Sequence, residues 1–115
     1  MLTIYGIPNC DTVKKSLDWF TKHKIDFVFH NYKKEGITAA MLKDWMKQQD
    51  FTLIVNTKSA TYKKLSTADQ EKCTKANTSV EVLQENTSLI KRPIVTKNGK
   101  IIAIGFDPAT YEKLF

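Results

Sequence analysis

Apolar positions in this chain fall into short runs divided by polar residues, glycine and proline. Leu2-Thr3-Ile4-Tyr5 reads as a short buried strand, and Gly6-Ile7-Pro8-Asn9 breaks it. Asp11 and Thr12 are helix-start residues, and Val13, Leu17 and Phe20 then recur at helical spacing. Ile25-Asp26-Phe27-Val28-Phe29-His30 reads as a second strand. A strand, a helix and a strand make a βαβ unit, which requires a parallel pair and a right-handed crossover. Lys34-Glu35-Gly36 is a turn, and Thr38 then caps a helix with Met41, Leu42, Trp45 and Met46 on its apolar face.

The middle of the chain is less regular. Phe51 to Val55 reads equally as a helical turn or a link. Thr61 to Leu65 and Thr67 to Ala76 read as short helices, and another runs from Ser79 or Val80 to near Asn86. Leu89-Ile90 begins the return to the sheet. Pro93-Ile94-Val95-Thr96 and Lys100-Ile101-Ile102-Ala103 flank Asn98-Gly99, a two-residue hairpin signal. A last helix starts around Asp107-Pro108, where proline suits the first turn. The fold expected is α/β and thioredoxin-like, a β-α-β half followed by a β-β-α half in one mixed sheet. A helical insertion spans approximately residues 36–88.

The 115 residues fit a single domain with a real core. No apolar run reaches the ~18 residues of a membrane helix. No signal peptide opens the chain, so the expected compartment is the cytoplasm, where Cys10 and Cys73 would be reduced thiols. Two cysteines build no disulfide framework, and no Cys/His spacing suits a metal. The formal net charge of +6 attracts anions such as glutathione, oxyanions or acidic proteins. The lysines are spread along the chain rather than gathered in a stripe, which gives nucleic-acid binding little support.

Cys10 stands where the first strand gives way to the first helix. Free backbone N–H groups and the positive end of the helix dipole gather there, and both favour a thiolate over a thiol. Lys14 and Lys15 in the first turn add positive potential, and Asp11 partly opposes them. A free cysteine of pKa ~8.5 is mostly protonated at neutral pH, whereas one lowered to about 6.5 is mostly nucleophilic. That fall corresponds to about 2.7 kcal/mol. A helix terminus supplies roughly 0.3–1 kcal/mol at a surface and up to ~2 when partly buried. A cationic partner is therefore required. A buried, inert cysteine is the alternative.

Lys91-Arg92-Pro93 precedes the third strand. In a thioredoxin-like sheet that strand lies beside the first, so its start approaches Cys10. An X–Pro bond is the one inexpensive site for a cis peptide. Arg92 would reach the thiolate, and its forked donors can hold an oxyanion or a carboxylate. A surface basic pair beside an edge proline is the alternative. Asn9 could donate to a bound group or simply serve the turn. Thr12 could bond to the sulfur, though the helix cap is its expected role. His23 and His30 have the character of surface residues. Cys73 lies in a lysine-rich helix and reads as structural rather than as a resolving thiol.

Three ordered stretches resemble the arsenate reductase-related (ArsC/Spx) family, with the YffB-like proteins as the subgroup. They are Gly6 to Lys15, Asn56-Thr57-Lys58, and Ile90-Lys91-Arg92-Pro93-Ile94 followed by Gly105-Phe106. The resemblance covers essentially the whole chain. It implies that Cys10 matches the nucleophile and Arg92 the arginine before a cis-proline. It also implies glutathione as co-substrate, with no bound cofactor, and glutaredoxin as a resolving partner. Asn9, Asp11, Thr12, Lys58, Lys91 and Pro93 are then the expected substrate- or glutathione-binding residues. The arsenate reductases have an arginine where this chain has Lys58, and a further arginine in the C-terminal part. Arg92 is the only arginine here, which weakens an oxyanion clamp. The Spx regulators carry Cys-x-x-Cys, and here the second position is Val13. The function expected is a glutathione-dependent monothiol reductase. The alternative is a non-enzymatic, Spx-like transcription regulator that binds RNA polymerase.

Overall fold

The computed structural model describes residues 1–115. Two compact units divide it: Met1–Glu35 with Arg92–Phe115, and Gly36–Lys91 between them in sequence.

The first unit holds a four-stranded sheet. Its strands are β1 (Leu2–Gly6), β2 (Phe27–Asn31), β3 (Ile94–Lys97) and β4 (Lys100–Ile104), in the order β2-β1-β3-β4. β1 pairs parallel with β2 and antiparallel with β3, and β3 and β4 form a hairpin. This is the mixed β-α-β, β-β-α sheet expected from the pattern. β1 is flanked on both edges, and all of its residues except Thr3 are buried. The hairpin turns at Asn98 (φ 52°) and Gly99 (φ 82°), the two positive φ values a type I′ turn needs.

Helix α1 (Asp11–Lys22) crosses from β1 to β2 and buries Val13, Ser16, Trp19 and Phe20. Leu17, expected in the stripe, is only half-buried. Ser16 takes the central place because it has a partner: its hydroxyl lies 2.9 Å from that of Tyr111. Tyr111 donates to the Gly105 carbonyl at 2.6 Å, so Ser16 donates to Tyr111. Tyr111 belongs to the last helix, Pro108–Leu114, and joins Leu2, Ile4, Trp19, Phe20 and Val95 in the core of this unit.

The second strand starts at Phe27, two residues later than the pattern suggests. The end of α1 takes those residues. The Ile25 N–H bonds the Phe20 carbonyl at 3.0 Å, and the Lys24 N–H bonds that of Thr21 at 3.1 Å. With Lys24 at φ 57°, this is a Schellman closure with lysine where glycine is usual. After Asn31 the chain makes one helical turn, α2 (Tyr32–Glu35), where a plain turn is expected. The Asn31 side chain caps it by accepting from the Lys33 N–H at 2.9 Å.

The second unit contains α3 (Ala39–Gln48), α4 (Ala60–Lys63), α5 (Thr67–Lys72) and α6 (Ala76–Glu85). Thr38 caps α3 as expected, accepting from the Met41 N–H at 3.1 Å. Phe51–Leu53 is a single 3₁₀ turn capped by Asp50, which settles the segment the pattern left open. The helix expected over Thr67–Ala76 ends at Lys72 instead, and α6 starts at Ala76, ahead of Ser79. The Thr78 hydroxyl donates to the Lys72 carbonyl at 2.6 Å and closes the break. An antiparallel bridge between Val55 and Ile90 then leads the chain to Lys91. It is flanked by Asn56 N–H to Leu89 carbonyl at 2.6 Å and Lys91 N–H to Ile54 carbonyl at 2.7 Å. The chain re-enters the first unit at Arg92. No helix is long and apolar enough to cross a membrane.

Gly6 sets the distance between β1 and α1. A Cβ there would lie 2.8 Å from Val13 Cγ2, and Val13 is fully buried and stiff at χ1. Gly6→Ala should therefore cost about 1–3 kcal/mol by overpacking, read as a lower thermal midpoint. An unchanged midpoint would show that the strand and the helix are not in tight register.

Candidate active site

The bend that Gly6 permits ends at Cys10. The Cys10 N–H bonds the Ile7 carbonyl at 3.3 Å, and its own carbonyl accepts from the Lys14 N–H at 2.9 Å. Its backbone is extended (φ −100°, ψ 124°), so Cys10 itself is the N-cap of α1. Thr12, expected as the cap, is instead an exposed residue inside the first turn. The reason is positional: the cap is the last residue before helical backbone, and that residue is the cysteine. The thiol makes no capping hydrogen bond of ordinary geometry. The Val13 and Thr12 N–H groups nevertheless favour its anion.

Arg92 arrives from β3. Antiparallel pairing sets Tyr5 opposite Ile94, so the residues just before β3 lie at the end of β1 that leads to Cys10. The Arg92 guanidinium donates a hydrogen bond to the Cys10 sulfur. The Arg92–Pro93 bond is cis. Pro93 is buried, and its carbonyl accepts from the Gly105 N–H at 2.8 Å.

Opposing effects act on the Cys10 thiol. Partial burial pushes its pKa up. The Val13 N–H, the Arg92 hydrogen bond and charge, and the Thr12 N–H push it down, and together they prevail. Lys14 and Lys15 are exposed and are not among the groups that shift it. The cation that matters comes from a distant part of the chain.

The remaining sequence candidates are distributed as follows. Asn9 and Asp11 are exposed and flank Cys10 along the chain. Lys58 and Lys91 belong to the second unit. Lys58 is exposed, and its N–H bonds Asn56 Oδ1 at 3.2 Å. Lys91 is half-buried beside Arg92 in sequence. His30, expected at the surface, is half-buried, its ring centroid 4.7 Å from that of Tyr5. Free helix-start N–H groups at Cys10 are expected from the sequence, but Thr12 and Val13 are not identified there as the donors, and Tyr32 is not marked at all. The donors become legible only once the cap is fixed at Cys10. Tyr32 lies beyond the expected strand end, and no periodicity marks it as buried.

Cys73 is the opposite kind of cysteine. It is 4% exposed and sits at the C-terminal end of α5. Burial raises its pKa, and the nearby Asp69 charge raises it further. The expectation of a structural thiol accords with this environment.

Comparison with known proteins places these features in context. Residues 5–114 match the model of the ArsC family. An uncharacterised protein of Haemophilus influenzae is 39% identical over 115 residues, spanning 100% of this chain and 99% of its own length. Global transcriptional regulator Spx 1 of Lactococcus lactis is 31% identical, over 93% of this chain and 83% of its own. The solved structure of the YFFB (PA3664) protein superposes with a TM-score of 0.92 at 31% identity, covering 99% of this chain and 98% of that one.

Alkylation of Cys10 against pH should show a midpoint below that of free cysteine. Arg92→Ala removes both the hydrogen bond and the charge while burial remains, so the midpoint should move upward and the rate at neutral pH should fall. In the folded protein Cys73 should alkylate far more slowly than Cys10. Equal rates for the two thiols, or a midpoint indifferent to Arg92, would contradict this account of the site.

Proposed function

This chain belongs to the ArsC family, and on that premise we propose that it is a glutathione-dependent monothiol reductase with Cys10 as its nucleophile. The observation that carries the reading is that Arg92 acts on the sulfur of Cys10, the residue at the N-cap position of α1, and favours its anion. In the first step the Cys10 thiolate attacks the glutathione sulfur of a glutathione adduct. A bond forms between the two sulfurs, the substrate S–S bond breaks, and the substrate thiolate leaves. In the second step a glutathione thiolate attacks the mixed disulfide. Cys10 returns as a thiolate and glutathione leaves oxidised, so glutathione is the reductant. Glutaredoxin is the protein partner that would serve the same resolving step.

Arg92 has two tasks in this scheme. It holds the sulfur as an anion at rest, and its forked donors suit a carboxylate of glutathione. Asn9, Asp11, Thr12 and Pro93 are the further proposed binding residues in the same unit. Arsenate is a poorer fit. A tetrahedral oxyanion is best held by several forks, and this chain has a single arginine.

A second reading follows from the similarity to the regulator Spx 1. In it, the same fold binds RNA polymerase without turnover. Val13 occupies the place of the second cysteine of a Cys-x-x-Cys switch, so this regulation would not be gated by a local disulfide.

A coupled assay separates the two readings, with a glutathionylated peptide as substrate and glutathione reductase recycling the product. Turnover should depend on glutathione and fall by about 10²-fold or more in Cys10→Ser, as for loss of a covalent nucleophile. Turnover that survives in Cys10→Ser would reject the mechanism. Capture of RNA polymerase by a protein without any turnover would favour the regulator.

A further inference from the structure

Tyr32 is 1% exposed, and its hydroxyl is buried with no hydrogen-bond partner. Such a hydroxyl costs stability that a phenylalanine of the same shape would not. Packing therefore accounts for the ring but not for the oxygen. The strand pairing places this oxygen at the end of the sheet that carries Cys10. Gly6 is opposite Asn31, the residue before Tyr32, and Tyr5 is opposite Ile94, two residues after Arg92. Tyr5 stands between them, its ring stacked on that of Tyr32 with centroids 6.2 Å apart. His30 meets Tyr32 edge-on at 6.1 Å. Two aromatic rings thus fix the Tyr32 side chain, and the Arg92 charge reaches its hydroxyl.

We propose that Tyr32 is a positioning residue whose buried hydroxyl oxygen steers the Arg92 guanidinium onto the Cys10 sulfur. The chemistry is complementary. A guanidinium is a cation, and the phenolic oxygen is the negative end of a bond dipole that acts on it without a hydrogen bond. Burial keeps the phenol neutral through the working pH range, so the oxygen is a constant dipole. Its pull opposes the drift of a half-exposed arginine into solvent. The ionisable neighbours are Tyr5 from β1, His30 from β2, Arg92 ahead of β3, and Glu35 of the same helical turn, whose charge is felt at Tyr5. All of them remain in Tyr32→Phe, so that variant isolates the oxygen.

This inference rests on the assignment of Cys10 as the nucleophile, and the test distinguishes the two. Cys10 alkylation by iodoacetamide is followed against pH in a Cys73→Ser background, with and without Tyr32→Phe, alongside thermal unfolding. Tyr32→Phe should melt at the same or a higher temperature. Its alkylation midpoint should rise by about 0.3–0.5 unit, so that the rate well below the midpoint falls about two- to threefold while the high-pH plateau is unchanged. In an Arg92→Ala background the same substitution should do nothing further. A depressed midpoint that Tyr32→Phe leaves unmoved would overturn the role of Tyr32 alone, as would a shift that persists without Arg92. Loss of folding in Tyr32→Phe would make the hydroxyl structural and also overturn it. An ordinary midpoint in the parent protein would overturn both the nucleophile and its support.

Discussion

A guanidinium held against a sulfur is the interaction on which the chemistry of this protein depends. A helix N-terminus alone offers a thiolate roughly 0.3–1 kcal/mol at a surface, too little to keep a cysteine largely ionised at neutral pH. Partial burial works against the anion at Cys10. The Val13 N–H, Arg92 and the Thr12 N–H together outweigh it, and Arg92 reaches the sulfur because β3 runs antiparallel beside β1. The sheet therefore brings together a cation and a helix terminus far apart in the chain. Gly6 serves the same end by letting α1 lie close against the strand that precedes it.

The two cysteines show how far the local backbone decides thiol chemistry. Cys10 begins a helix, is partly exposed and faces an arginine. Cys73 ends a helix, is buried and feels an aspartate. Donor N–H groups gather at one kind of terminus and acceptor carbonyls at the other, so the same side chain is drawn toward thiolate in one place and thiol in the other.

Much of this was legible in the sequence where local rules govern. Asn98-Gly99 announced the hairpin, Thr38 the cap of α3, and the strand–helix alternation the parallel pair of β1 and β2. The Cys10 position and the Arg92-Pro93 pair could be read from the breaks between elements. What escaped was set by side chains that meet across the fold. Ser16 displaced Leu17 from the buried stripe because Tyr111, nearly the whole chain away, supplies its hydrogen bond. Lys24 closed a helix where glycine would have signalled the stop, and so shortened the expected second strand. The hydroxyl of Thr78 bonds the Lys72 carbonyl between two expected helices, whose boundary lies several residues earlier than the pattern placed it. Thr12 was read as a cap because cysteine is not a familiar one, and Tyr32 lay past a strand end placed one residue early. Lys14 and Lys15 were expected to add positive potential at Cys10, but of the expected cations in the first unit only Arg92 acts on the sulfur.

The most direct test is a titration of the Cys10 thiolate by its ultraviolet absorbance in Cys73→Ser protein, with no substrate or alkylating reagent present. This account predicts a single ionisation centred below the ordinary value for cysteine. A sulfur that ionises at or above that value would contradict it.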